Sequence, residues 1–167
     1  LYQLAEHYKL YNYSIYGVVY PSSADSLNKE EIKNFKLRNK SLHFHGLQKN
    51  PLLNQNYRYP ILLVPSIYGE GLPRGIIEAL ALNIPVISSK KATCDLFDES
   101  LIYISKDNSI NSYKDCINEV INDFNSGKIK TKLKKGNEFV KKDLLESQVV
   151  KKTISIYQEM KKINCNK

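Results

Sequence analysis

No stretch of the 167 residues is apolar for the ~18–20 positions a membrane-spanning helix requires, and the longest candidates are interrupted by proline, glycine or charge. Cysteine is scarce. Cys94, Cys116 and Cys165 are scattered, with no metal-binding or redox spacing, which argues against a disulfide framework and for reduced thiols in a cytosolic protein. No basic-then-apolar signal segment follows Leu1. A start at Leu rather than Met raises the expectation that the sequence begins inside a longer protein. Internal repeats and low-complexity linkers are absent as well. What is present, 42% apolar and 25% charged residues, is the balance of a globular chain long enough for one domain with a real core.

The net charge is +8, and its location matters more than its size. Residues 1–127 hold 13 Lys/Arg against 13 Asp/Glu, whereas residues 128–167 hold 12 Lys against 4 acids. Such a tail suits an anionic lipid surface, nucleic acid, or simply a solvated lysine-rich helix face. The solvated face is favoured, because Lys, Asn, Ile and Tyr are abundant throughout and the tail lacks the interleaved aromatics on which single-stranded bases stack. A nucleic-acid partner is therefore not expected.

Helical and strand signals alternate. Leu1, Leu4, Ala5 and Tyr8 have helical spacing. Tyr13–Tyr20 reads as a strand stopped by Pro21-Ser22-Ser23, Asn28-Lys29-Glu30-Glu31 opens a helix carrying Ile32, Phe35 and Leu37, and Ser41–Phe44 is a strand ended by Gly46. The unbroken run Ile61–Val64 suits a parallel strand buried on both faces. A helix follows over Pro73–Leu82 with Asn83 as its stop, then strands at Ile84–Ile87 and Leu101–Ile104, and helices at 109–125 and 131–162, the last broken near Asp143. This alternation predicts a Rossmann-like α/β fold, a parallel sheet with helices on both faces.

The segment with chemical content runs from Val64 to Leu80. A buried strand ends at Val64, and ligand crevices of open α/β sheets lie beyond such ends. Gly69 and Gly71 permit an unusual loop backbone, and Pro73 stands where a first helical residue belongs. The amides of Gly71, Leu72 and Arg74 then converge at a helix N-terminus, which carries about half a positive charge and suits a diphosphate. Glu70 and Glu78 bracket the turn. Glu78 shares its helix with Ile76, Ile77, Leu80 and Ala81, which read as buried, so it is either exposed or paired, and a pair of sugar or ribose hydroxyls is a fitting partner. Either acid alone is more simply a helix-entry or solvated carboxylate; the strand, glycines and proline around them favour a site.

The run Glu70-Gly-Leu-Pro-Arg-Gly-Ile-Ile-Glu78 resembles the Glu-x7-Glu signature of family 4 glycosyltransferases. Leu63-Val64-Pro65-Ser66 is similar to that family's preceding strand, Ala79–Ser88 to its following stretch, and Ser147–Tyr157 to its closing helix. The match is specific over 61–90, looser over 10–60 and moderate near the C-terminus. The resemblance implies the C-terminal, donor-binding half of a GT-B enzyme that transfers a sugar, with retention, from a nucleoside diphosphate sugar (UDP-linked by expectation) to a hydroxyl of a saccharide or lipid-linked acceptor. By the same resemblance Glu70 is the catalytic carboxylate near the reacting carbon, Gly71 and Leu72 lie by the sugar and phosphates, Glu78 binds the ribose, and Gly46 and Leu47 belong to the loop near the base; Pro73 and Arg74 are counted with the donor-binding turn, Arg74 being a phosphate ligand or equally a surface residue. No metal or other cofactor is implied. The implied extent is one domain over 1–167 with a closing helix at 147–162, in the cytoplasm, with the lysine-rich tail as a hypothetical peripheral contact to the inner membrane face.

There are departures. Asn83 stands where Gly is usual, and Ala92-Thr93-Cys94-Asp95 replaces the usual Gly-x-x-Glu. Five strands are legible against about six in the family domain; the first, central one and the Arg and Lys that neutralise the diphosphate are expected upstream of residue 1, along with an N-terminal acceptor domain. On that count the isolated chain is expected to be unstable or inactive. The alternatives are a non-catalytic basic binding module and an inactive glycosyltransferase fragment. His43 and His45 share one strand face, but no third ligand stands nearby, so no metal site is expected. Of 12 tyrosines, only Tyr68 adjoins the candidate loop.

Overall fold

The computed structural model describes residues 2–8, 11–17, 28–53, 57–67, 71 and 73–165. They group into two compact units, Leu1–Arg58 with Ser109–Lys114, and Tyr59–Asn108 with Asp115–Lys167. The architecture is α/β, with parallel sheets and helices on both faces, as the alternation of elements implied.

In the first unit, α1 (Tyr2–His7) and α2 (Lys29–Arg38) accompany the parallel strands β1 (Tyr13–Tyr16) and β2 (Leu42–Gly46). Tyr13 faces Leu42 and Ile15 faces Phe44; a bulge after Ile15 then sets Tyr16 opposite Gly46. The alternation holds: Leu42 is buried and Phe44 half-buried, while His43 and His45 are exposed. The helix expected at Asn28 opens there, the Asn28 side chain accepting the Glu31 amide and the Glu31 carboxylate accepting the Asn28 amide, both at 2.8 Å. Ile32 and Phe35 are half-buried, but Leu37 is 72% exposed, because five residues after Ile32 it has rotated off the stripe. Leu4 and Ala5 of α1 are buried, and the Tyr13 hydroxyl donates to the Tyr8 carbonyl at 3.2 Å. The first strand closes at Tyr16 before Gly17; residues 18–20 of the expected strand lie outside the described residues.

In the second unit, β3 (Leu62–Val64), β4 (Val86–Ser89) and β5 (Tyr103–Ser105) pair in parallel in that order. α3 (Arg74–Ala81) connects the first two strands, and a single 3₁₀ turn, Lys90–Thr93, follows β4. β4 is buried along its whole length. Both later strands begin two residues beyond their expected starts, for the same reason. The Ile84 amide is spent on the Ala79 carbonyl (2.8 Å) and Pro85 has no amide, so pairing starts at Val86. The Leu101 and Ile102 amides both bond the Asp98 carbonyl at 3.1 Å, so pairing starts at Tyr103. α4 (Ile110–Ser126), whose first residues group with the first unit, precedes α5 (Ile129–Phe139), a π-helical segment Val140–Leu144, and α6 (Glu146–Cys165). The break expected near Asp143 is this segment, after which Leu145 turns extended at ψ 140°.

Candidate functional site

The loop that follows β3 leads from Pro65 and Ser66 into α3. Glu70, Leu72, Gly69 and Tyr68 lie outside the described residues, so the catalytic carboxylate and one donor-binding position have no described geometry. Gly71 is exposed. Pro73, expected as the first helical residue, is instead the N-cap, with φ −74° and an extended ψ of 107°; Arg74 takes the first helical position. The difference follows from ψ: the proline ring fixes only φ, and the chain turns helical one residue later. Pro73 brings no capping side chain. Its carbonyl accepts the Ile76 amide at 3.0 Å, which leaves the Arg74 and Gly75 amides at the head of the helix, the groups that make such an end attractive to anions.

Glu78 lies four residues after Arg74, about 6 Å along the axis, and both side chains are exposed. That spacing sets them on one helix face, yet no ion pair joins them. The face beneath is apolar and buried through Ile76, Ala79 and Leu80. Ala81, read as buried from sequence, is exposed, and Ile77 is half-buried; the stripe is the 76–79–80 pattern of one helix face.

In the first unit Gly46 ends β2 with φ +68°, a left-handed backbone where a side chain is strained although open space lies where its Cβ would stand. Leu47 beyond it is 78% exposed. His45 stacks on Tyr16 with centroids 4.8 Å apart and hydrogen-bonds the Ser14 hydroxyl through Nε2 at 3.0 Å; Ser14 also bonds Tyr57. Among the described residues, no three His, Cys, Asp or Glu are grouped to hold a metal ion, and no helix is long and apolar enough to cross a membrane.

A feature not legible in the sequence lies at the carboxyl ends of β4 and β5. Ser88, Ser89 and Ser105 are at most 1% exposed. Ser105 Oγ donates to the Ser88 carbonyl (3.3 Å), Ser88 Oγ to the Ser89 carbonyl (3.1 Å), and Ser89 Oγ to the Ser66 carbonyl (2.6 Å) in the loop after β3. Past this point Cys94 and Asp95 both take left-handed backbone, φ 51° and 53°, and Asp95 pairs with Lys90 at 3.1 Å. The pairing gives Asp95 a local partner where the resemblance left its role open.

A family model described as "Glycosyl transferases group 1" matches residues 4–137. Among solved structures, a glycosyltransferase from Rickettsia africae ESF-5 superposes with a TM-score of 0.75 at 20% identity, over 95% of this chain and 43% of its own. Anabaena HepE in complex with UDP gives 0.72 at 17% identity, over 95% and 44%. Sucrose-phosphate synthase from Thermosynechococcus elongatus gives 0.73 at 19%, over 95% and 41%. At these identities the likeness is one of fold. The chain spans less than half the length of each of these proteins. No curated protein matches in sequence.

Proposed function

Since the chain belongs to the glycosyl transferases of group 1, we propose that it forms the donor-binding half of a retaining family 4 glycosyltransferase of GT-B fold, taking a sugar from a UDP-sugar to a hydroxyl of a saccharide or lipid-linked acceptor. The observation that carries this reading is the parallel strand β3 feeding a glycine-bearing loop into an α3 whose first amides have no side-chain cap. The solved complexes of HepE with UDP and with UDP-glucose support a uridine donor.

In this reading Glu70 lies against the donor sugar beside the reacting carbon, and Gly71, Leu72 and Pro73 line the sugar and phosphates. Glu78 accepts from the ribose hydroxyls, and Gly46 and Leu47 border the base. The anomeric carbon–oxygen bond to the diphosphate breaks, the diphosphate leaves with the electron pair, and the acceptor oxygen forms the new glycosidic bond as its hydroxyl gives up its proton to the departing diphosphate. Charge accumulates on the leaving diphosphate. In this reading the α3 amides meet that charge already oriented, with the exposed Arg74 nearby, and one such preorganised donor is worth roughly 3–4 kcal/mol in other enzymes. No metal is assigned to the step. The acceptor is held by a second domain outside these residues. The cytoplasm is the proposed location.

The test is calorimetric titration of UDP and UDP-sugars into the complete protein. Saturable UDP binding that Glu78→Ala removes is the expected result. Loss of UDP binding in the unaltered protein, together with polyanion binding that falls steeply with salt, would replace the enzyme reading with a basic binding module.

A further inference from the structure

We infer that Ser89 is a positioning residue of the donor site, holding Ser66 at the start of the β3–α3 loop; the inference rests on the donor-binding reading above. Val86 and Ile87 fill β4 with the branched residues a buried strand favours, and the strand then changes to Ser88 and Ser89, both almost fully buried. Burying a hydroxyl is unfavourable unless it is hydrogen-bonded, and each of these has a backbone partner.

The Ser89 bonds differ from the others in what they join. Its Oγ donates to the Ser66 carbonyl at 2.6 Å and accepts the Ala92 amide at 3.2 Å. Ser66 lies two residues past β3, in the loop that carries Gly71 to α3; Ala92 lies in the 3₁₀ turn after β4. One oxygen therefore ties together the two turns that leave the carboxyl ends of adjacent strands, where open α/β sheets bind ligands. The turn it grips is itself strained. Cys94 and Asp95 are consecutive left-handed residues with side chains, held by Thr93, whose hydroxyl donates to the Lys90 carbonyl at 2.8 Å and accepts the Asp95 amide at 3.3 Å. Strained backbone persists where its surroundings over-determine it. Behind Ser89, the Ser105 and Ser88 hydroxyls brace the β4 carbonyls in turn. The geometry makes Ser89 the link through which this braced strand end sets the position of Ser66, where the donor loop leaves β3.

The experiment compares Ser89→Ala with Ser105→Ala in the complete protein. Ser105→Ala removes a bond of the same kind that ends on a strand carbonyl instead of the loop. UDP is titrated calorimetrically, and amide exchange is followed at Ser66 and Ile67 in the absence of ligand. Ser89→Ala is expected to weaken UDP binding about tenfold, the scale of one hydrogen bond, and to speed exchange at Ser66 and Ile67, while Ser105→Ala leaves both within about twofold. Ser89→Thr, which keeps the hydroxyl, restores UDP binding if it folds. Unchanged exchange at Ser66 and Ile67 in Ser89→Ala overturns the inference, and so does equal weakening of UDP by the two alanine variants. If the unaltered protein binds no UDP, the donor reading fails, and the exchange data still decide whether Ser89 holds the loop.

Discussion

The side-chain amide of Asn137, on α5, donates to the Ala81 carbonyl at 2.7 Å and so satisfies one of the orphan carbonyls that end α3. Gly136 beside it packs so closely that a Cβ there would stand 2.7 Å from Leu80 Cδ2. α5 thus closes the C-terminal end of α3, while the N-terminal end has no side-chain cap. Whatever aligns α3 aligns the amides of Arg74 and Gly75. Asn137→Ala is expected to lower stability by about 1–2 kcal/mol, since it removes a donor to a part-buried carbonyl. Urea unfolding with an unchanged m-value would register it as a shift of midpoint.

Asn83 ends the same helix at φ 56°. Its amide bonds the Leu80 carbonyl at 3.1 Å, and the following Ile84 amide bonds the Ala79 carbonyl at 2.8 Å, the paired bonds of a Schellman termination. Asn tolerates left-handed backbone better than other residues with a Cβ, and Gly better still. Asn83→Ala should therefore cost about 1 kcal/mol, and Asn83→Gly should be neutral or stabilising by a few tenths. Melting temperatures of the two variants test the order, which a purely side-chain role for Asn83 would reverse.

Much of the fold is legible in the sequence because it rests on local patterns. Asn28 and Glu31 mark a helix start through their reciprocal bonds, and Leu42/Phe44 against His43/His45 fixes the faces of β2 by period two. Strand starts are less legible: Ile84 and Leu101 are as apolar as any strand residue, but their amides are committed to the preceding turns. In the site, the β3 tip, glycine and proline announced the loop, and Glu78 stands exposed on α3 as one of its two expected states. The seryl contacts are invisible beforehand, since a buried serine differs from an exposed one only through partners such as Ser66 and Ser88, 17 to 23 residues away in the chain.

Asp143 closes the π-helical break by accepting from Lys152 at 2.6 Å, and that hydrogen bond holds its carboxyl below the usual carboxylate range. A lowered folded value means that the stabilisation is present above the unfolded pKa near 4 and is lost as pH falls through the folded one. Acidification below about pH 4 should accordingly loosen the start of α6 before the rest of the unit. Protection at residues 146–150, taken as exchange relative to the intrinsic rate at each pH, would show this, and Asp143→Asn should make that protection insensitive to pH over the same window.

The alkaline limb has the opposite sign. Burial pushes the Cys116 thiol from 9.0 up to about 11 and the Tyr13 phenol from 10.0 up to about 12, with nearby acidic groups adding to the first and Tyr11 and Tyr8 to the second. When a folded value is raised, the native state binds more protons than the unfolded state between the two values, so stability falls as pH rises through that interval. Stability should therefore hold up to about pH 9 and decline from there to pH 11–12. Cys116→Ala should flatten the lower part of the decline and Tyr13→Phe the upper part, even though each variant shifts stability at neutral pH for reasons of packing. The same burial suppresses the thiolate: at pH 8, alkylation of Cys116 should be at least about tenfold slower than that of the exposed Cys94, a ratio that peptide mapping after brief iodoacetamide treatment measures directly. Comparable labelling of the two thiols would mean that Cys116 meets solvent and that the core between α4 and β5 is looser than its buried residues Tyr103, Ile117 and Val120 imply.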